Sequence, residues 1–382
     1  MLSVVEFDSH SPVGLYVHVP FCVSKCAYCD FASYAGREAD ISRYVDTVIR
    51  EIARRGEETG HAQANTIFFG GGTPSLLDEF QIARILDALR KAFPVAANAE
   101  ITCECNPGTF VTSGFARAIR EAGINRLSLG AQAKQTRLLQ LIGRIHDWEQ
   151  AIASIEIARA AGFENINLDL MFGIPSQTVA DLQETLAAAM ELSPTHLSCY
   201  GLIVEEGTPI EREIRAGKLA LPTDEVEREM YELVRQTLAE HGFEQYEISN
   251  FATGMYTCRH NIGCWTRMPY LGFGCAAHSF FDECRTMNPA TLDAYLANEP
   301  PQIEQIPQEE ARFESLMLGL RMTRGVKDED FTRMHGLSIR DAFGQKLDRP
   351  TAAGLIEWHD GALRLTRLGM DLQNSVLVDL ME

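Results

Sequence analysis

Three cysteines, Cys22, Cys26 and Cys29, stand at C-x3-C-x2-C spacing in the stretch YVHVPFCVSKCAYCDF, residues 16–31. Thiolates this close on one loop hold a zinc ion or an iron–sulphur cluster. A structural zinc site closes with a fourth Cys or His, and the next alternate position is Phe31. A [4Fe–4S] cluster on three cysteines instead leaves one iron open to an outside ligand.

Further short motifs recur downstream. FFGGGTPS, residues 68–75, supplies Gly70, Gly71, Gly72 and Thr73; glycines let backbone approach a ligand with no Cβ in the way. Glu104 lies in CECNPG, Gln132 in SLGAQ, Arg144 in LIGRIHD and Asp169 in NLDLMFGIP. Arg presents a bidentate fork to a carboxylate. Asp and Glu accept from an amine or from hydroxyls. A later segment, CRHNIGCW, brings together Cys258, His260, Cys264 and Trp265, and GCAAHSFF holds His278. Imidazole and thiolate are both metal ligands.

The elements that must position these residues alternate between two periods. Strand patterns fall at 15–19, 66–69, 100–105, 126–130, 165–171 and 196–200. Helical patterns lie between them near 40–55, 76–92, 113–122, 147–161 and 179–191. Repeated β-α units predict a parallel sheet with right-handed crossovers. Along the strands one face is apolar (Leu15, Val17, Val19, Leu127, Leu129, Leu168) and the other polar (Tyr16, His18, Glu104, Arg126, Ser128, Asn167, Asp169, His196, Tyr200). A closed eight-stranded barrel fills its interior with branched apolar side chains. An open doubly wound sheet is apolar on both faces. A polar face on six strands predicts α/β architecture with a partial barrel around a chamber, and the three cysteines follow the first strand at its carboxyl end. The expected division is 1–205 for the barrel, 206–297 for an extension carrying the His/Cys-rich segment, 298–310 for a Pro-rich acidic linker and 311–382 for a small helical domain with a hairpin.

Composition narrows the function classes. The chain has 382 residues, 46% hydrophobic, with 53 acidic and 34 basic residues and a formal net charge of −19. Such a balance argues against nucleic acid as a partner and against an anionic membrane surface. No stretch is long and apolar enough to predict a spanning helix, and MLSVVEFDSHSPVG lacks the basic and apolar regions of an export signal. Ten cysteines in such a chain predict reduced thiols and a cytoplasmic location.

The cysteine spacing with Tyr28 before the third thiol resembles the radical S-adenosylmethionine (SAM) enzymes. The resemblance implies a partial (β/α)6 barrel, a [4Fe–4S] cluster on Cys22, Cys26 and Cys29, and SAM chelating the open iron, where one electron can cleave the sulfonium to a 5′-deoxyadenosyl radical. By similarity to the coproporphyrinogen dehydrogenase branch, Tyr16, Tyr28, Gly71, Gly72, Thr73, Glu104, Gln132, Arg144 and Asp169 are expected around SAM. The porphyrinogen decarboxylases of that branch carry a fourth cysteine where this chain has Phe31, and a longer N-terminal arm. CDFASY, RLSLGAQ, GRIHD and CRHNIGCW look instead like the HemW-type heme chaperones. That resemblance implies heme binding, delivery of heme to a client protein and an electron donor for the cluster. The family's H-N-x-x-Y-W motif has Cys264 at its tyrosine. His260 is the expected heme ligand, with Cys264 and His278 as alternatives. A SAM-dependent enzyme acting on a tetrapyrrole is the competing expectation.

Overall fold

The computed structural model describes residues 12–381; most of the N-terminal stretch read for an export signal, residues 1–11, lies outside the described residues. Seven parallel strands form the centre of one twelve-stranded sheet, in the order Tyr270–Phe273, Val13–Val19, Ala64–Gly71, Val95–Cys105, Arg126–Gln132, Asn165–Phe172 and His196–Gly201. The last six are the strands expected from sequence, here called the first to the sixth. Antiparallel strands extend both edges. Asn250–Ala252 and Glu244–Gln245 follow the sixth strand, while His278–Phe281, Cys284–Met287 and Gln302–Gln305 flank the seventh parallel strand. The edges do not pair, so the barrel is partial.

Helices Ile41–Glu58, Glu79–Ala92, Ser113–Ala122, Trp148–Ala160 and Val179–Glu191 connect the strands. Three begin with reciprocal capping boxes, Asp78 with Gln81, Asp147 with Gln150 and Thr178 with Asp181. Each cap satisfies amide donors that a helix start leaves free and contributes about 1 kcal/mol. The apolar strand face lies under these helices, with Leu15, Val17, Val19, Leu127, Leu129 and Leu168 fully buried.

The polar face turns inward, and its lower half is occupied by itself. Asn167 donates to Ser128 Oγ at 2.7 Å and to Asp169 Oδ1 at 2.7 Å, and its Oδ1 lies 2.6 Å from His196 Nδ1. His196 Nε2 meets the Tyr246 hydroxyl at 2.8 Å. Helix Arg259–Trp265 closes the amino end of the barrel. Glu100, on the third strand, accepts from the Arg259 and His260 amides at 3.0 and 3.1 Å and from Cys258 Sγ at 3.6 Å. The expected wet interior is therefore confined to the carboxyl half.

Two stretches differ from expectation. The strand Tyr270–Phe273 has no clean alternation because backbone crowding demands Gly272, where a Cβ would lie 2.1 Å from the His278 carbonyl oxygen. The 298–310 stretch, read as a linker, contributes the exposed edge strand Gln302–Gln305. Its preceding prolines suit an edge strand, where no partner needs their missing N–H.

Residues beyond 308 enclose a separate core around Leu316, Phe331, Leu363, Leu365 and Val376. The expected hairpin joins Ile356–His359 to Ala362–Leu365 through Asp360 and Gly361, with φ of 47° and 76°. Positive φ at both positions is the type I′ geometry that Asp-Gly favours. Arg267 ties this part to the sheet, bonding Glu314 at 3.2 Å and Glu283 at 2.8 Å. Among the described residues no helix is long and apolar enough to cross a membrane.

Glu100→Ala is expected to destabilise the fold by about 3 kcal/mol, because it strips the floor helix of its acceptor and leaves buried donors unpaired. Chemical denaturation measures this, and an unchanged midpoint would show that the floor is held by other contacts.

Candidate functional site

Loops at the carboxyl ends of the strands converge on a chamber of about 250 Å³. Cys22, Cys26 and Cys29, all half-buried, share its lining with Tyr28, Gly71, Gly72, Thr73, Glu104, Gln132, Arg144 and Asp169. Eleven of the thirteen residues singled out from sequence thus meet in one place; Tyr16 and His260 do not line it.

The backbone fits of this chamber are tight. Gly72 runs against the chain just after the first strand, and a Cβ there would meet Phe21 O at 2.6 Å, Val19 O at 2.8 Å and Cys22 Sγ at 3.1 Å. Gly71, at φ 106°, donates its N–H to Glu104 Oε2 at 3.2 Å. Thr73 Oγ1 lies 3.6 Å from Cys22 Sγ. On the opposite side the fourth-strand loop grips the cysteine loop. Ala27 N–H donates to Ile142 O at 2.9 Å, and Gly143 packs against the Ala27 amide. Arg144 follows directly; one arm lies 3.6 Å from Cys26 Sγ and the other bonds Gly130 O. Its Nε has no partner among the described residues. A fork so placed, beside thiols and half unspent, suits a carboxylate.

Gln132 sits at φ 64°, an uncommon conformation for a side chain, at a register shift that ends the fourth strand. Its Oε1 accepts from the Tyr200 hydroxyl at 2.9 Å. Such local strain collects where a side chain must be aimed. Asp169 accepts from Asn167 and faces Ser128 at 3.4 Å. Burial and the charge of Asp169 push the Glu104 carboxyl up to about 8, against the pull of the Gly71 amide and Arg126. Burial also raises Asp169.

Tyr16 lies one row deeper. Its hydroxyl meets His18 Nδ1 at 3.0 Å, and His18 Nε2 reaches Ala32 O in the cysteine loop at 2.9 Å. His18 is therefore a buried strut under the cluster loop. It was visible in the sequence only as one more polar-face residue, like Ser128 and Tyr200, which also line the chamber.

His260 is in the barrel floor, 5% exposed, with Nδ1 at 2.9 Å from Thr66 Oγ1 and its ring stacked on Phe68 at 5.1 Å. Burial and Arg126 lower its imidazole to about 4. A porphyrin plane cannot reach this nitrogen while the floor helix is in place. Cys264, on the same helix, has its thiol pushed up to about 11 by burial. His278 is exposed on the flank of the sheet.

Three of the thiols on the chamber wall, Cys22, Cys26 and Cys29, lie on one loop, and among the described residues no three Cys, His or carboxylate side chains converge tightly enough to hold a single metal ion.

The comparisons with known proteins place this architecture. The Radical SAM superfamily profile matches residues 16–189, and the HemN C-terminal domain profile matches residues 306–372. The chain is 23% identical to the Escherichia coli coproporphyrinogen III oxidase HemN, whose structure superposes with a TM-score of 0.84 over 97% of this chain and 90% of that one. That likeness establishes a radical SAM fold. Heme chaperone HemW of Bacillus subtilis is 37% identical over 94% of this chain and 97% of its own length. HemW of Escherichia coli is 34% identical over 96% and 97%. The chain belongs to the HemW family of radical SAM proteins, and membership implies a [4Fe–4S] cluster and SAM.

Gly72→Ala is expected to lower the iron content of anaerobically reconstituted protein severalfold, since carbonyls below 3 Å cannot yield without moving Cys22; wild-type iron content would refute the close-approach argument. His146 and His260 are both lowered to about 4, mainly by burial. The unfolded chain therefore binds more protons between pH 6.5 and about 4, and stability present above that window is lost as pH falls through it. Acid unfolding is expected to be shallower in His260→Gln.

Proposed function

We propose that this chain binds heme and hands it to client proteins, carrying a [4Fe–4S] cluster on Cys22, Cys26 and Cys29 with SAM beside it in the chamber. The observation that carries this reading is near-full-length similarity to proteins named heme chaperones. Position 31 agrees with it: Phe31, 58% exposed, stands at the chamber mouth where the resembled decarboxylases have a fourth cysteine.

When bound, such a cluster offers one open iron to the amino and carboxylate groups of SAM and a source of one electron, which an external reductant, the expected electron donor, must supply. The residues have separable roles in this reading. Arg144 presents its fork to the SAM carboxylate. Gly71, Gly72 and Thr73 lay backbone and hydroxyl along the amine. Glu104 and Asp169 accept from amine or ribose hydroxyls, and Gln132 is held in place by Tyr200. Tyr28 and Tyr16 pack around and beneath the ligand. A reduced cytoplasm suits free thiols that must load iron.

As folded, His260 is buried in the barrel floor, so its ligation of heme requires helix Arg259–Trp265 to leave the amino end of the barrel, whereas Cys264 is half-buried. Anaerobic reconstitution followed by heme titration tests the reading. A Soret band with saturable binding is expected, retained in His260→Ala. Loss of that band in His260→Ala at unchanged melting temperature would return the ligand to the floor helix. Incubation with coproporphyrinogen III, SAM and a reductant should give no protoporphyrinogen. Its formation without heme binding would replace the chaperone reading with tetrapyrrole decarboxylation.

A further inference from the structure

Arg126 opens the fourth strand and projects into the barrel, where it is 2% exposed. Its Nε has no hydrogen-bond partner among the described residues, and the groups that act on it, Cys258, Glu100, Tyr246 and Asp169, do so through space. Its neighbours in register are Thr102 on the third strand and Asn165 on the fifth. Thr102 Oγ1 and Asn165 Oδ1 are likewise buried without a partner. One cross-strand row therefore presents three unsatisfied polar atoms around a buried cation. Glu100, the nearest carboxylate by position, has spent its oxygens on the floor-helix amides and Cys258.

A buried charge with an unpaired donor is costly, and its neighbours in the same row do not offset that cost. The next row up explains it. Glu104, Ser128 and Asn167 are register partners directly above Thr102, Arg126 and Asn165, with Asp169 one row higher. We propose that Arg126 is a positioning residue for the SAM chamber, a fixed positive charge one row beneath Glu104 and two beneath Asp169 that favours their hydrogen-bond-accepting form. This rests on the SAM site described above.

The surroundings of the two carboxylates leave Arg126 this task. Glu104 faces Tyr16 and His18 from the first strand, the Gly71 amide from the second, Cys105 on its own strand and Asp169 from the fifth. Among the groups that act on Glu104, Arg126 is the cation. Asp169 faces Asn167, Ser198, Cys199, Tyr200 and Tyr28, with Arg126 and Arg144 as its cations. Arg144 is placed to meet the ligand's own carboxylate, so Arg126 is the cation whose charge stays free. Because SAM carries a sulfonium, Arg126 also repels it directly; the two effects separate by pH. Where both carboxylates are ionised regardless, Arg126 only repels.

The experiment is SAM titration by calorimetry on anaerobically reconstituted protein from pH 6 to 9, with melting temperatures alongside, for wild type, Arg126→Met and Arg126→Lys. In wild type, affinity should rise as pH passes about 8, the value to which Glu104 is pushed. In Arg126→Met the rise should move about one unit higher, giving roughly tenfold weaker binding at pH 7 and equal or tighter binding at pH 9. Its melting temperature should not fall. Arg126→Lys should restore the wild-type profile. An unshifted profile in Arg126→Met, above all with a lowered melting temperature, would make Arg126 a structural counter-ion to Glu100 and overturn the proposal. Wild type that binds no SAM at any pH would overturn the SAM site itself.

Discussion

Glu100 holds the barrel shut. A partial barrel lined with polar side chains has two open ends and an open seam, and water entering from below would compete for every hydrogen bond inside. Two amides and a thiol from the segment Cys258–His260 converge on this one carboxylate. Once the floor helix is seated, His260 stacks on Phe68 and Tyr16 and bonds Thr66, and the His196–Asn167–Ser128 chain above it is sealed. The chamber can then be polar without being leaky. The motif that most resembles a heme signature thus performs a structural task in this conformation.

At the other end the constraint is proximity rather than closure. The cysteine loop is pinned from beneath by His18, from one side by the Gly71–Thr73 backbone and from the other by the Ile142–Arg144 turn. These contacts are made by backbone, a threonine hydroxyl and a buried imidazole, so the loop is placed by parts that have few conformations to lose. Large apolar residues do the remaining work at a distance, under the helices.

The β-α alternation and the inward polar face were legible because both periods are long and uninterrupted. The chamber residues were legible because each sits at a strand end in a short distinctive motif. Tyr200, His18 and Ser128 escaped notice as site residues because nothing local separates a polar residue that bonds a ligand-facing neighbour from one that bonds solvent. The seventh parallel strand was hidden by Gly272 and Gly274, which the close approach of His278 and Tyr44 requires and which break alternation. The edge strand at Gln302–Gln305 was masked by prolines and acids that describe a linker equally well. The burial of His260 depends on Glu100, some 160 positions away, and no window of sequence contains that pairing.

The bond from Ala27 N–H to Ile142 O has a thermodynamic consequence. It joins the loop that supplies the thiols to the turn that supplies Arg144, so iron loading and ligand binding act on one shared peptide. Linkage is reciprocal: whatever factor iron adds to ligand affinity, the ligand adds to iron retention. A chelator that strips iron and a ligand that binds beside it would then titrate against each other, each weakening the other's hold through this turn as well as at the metal.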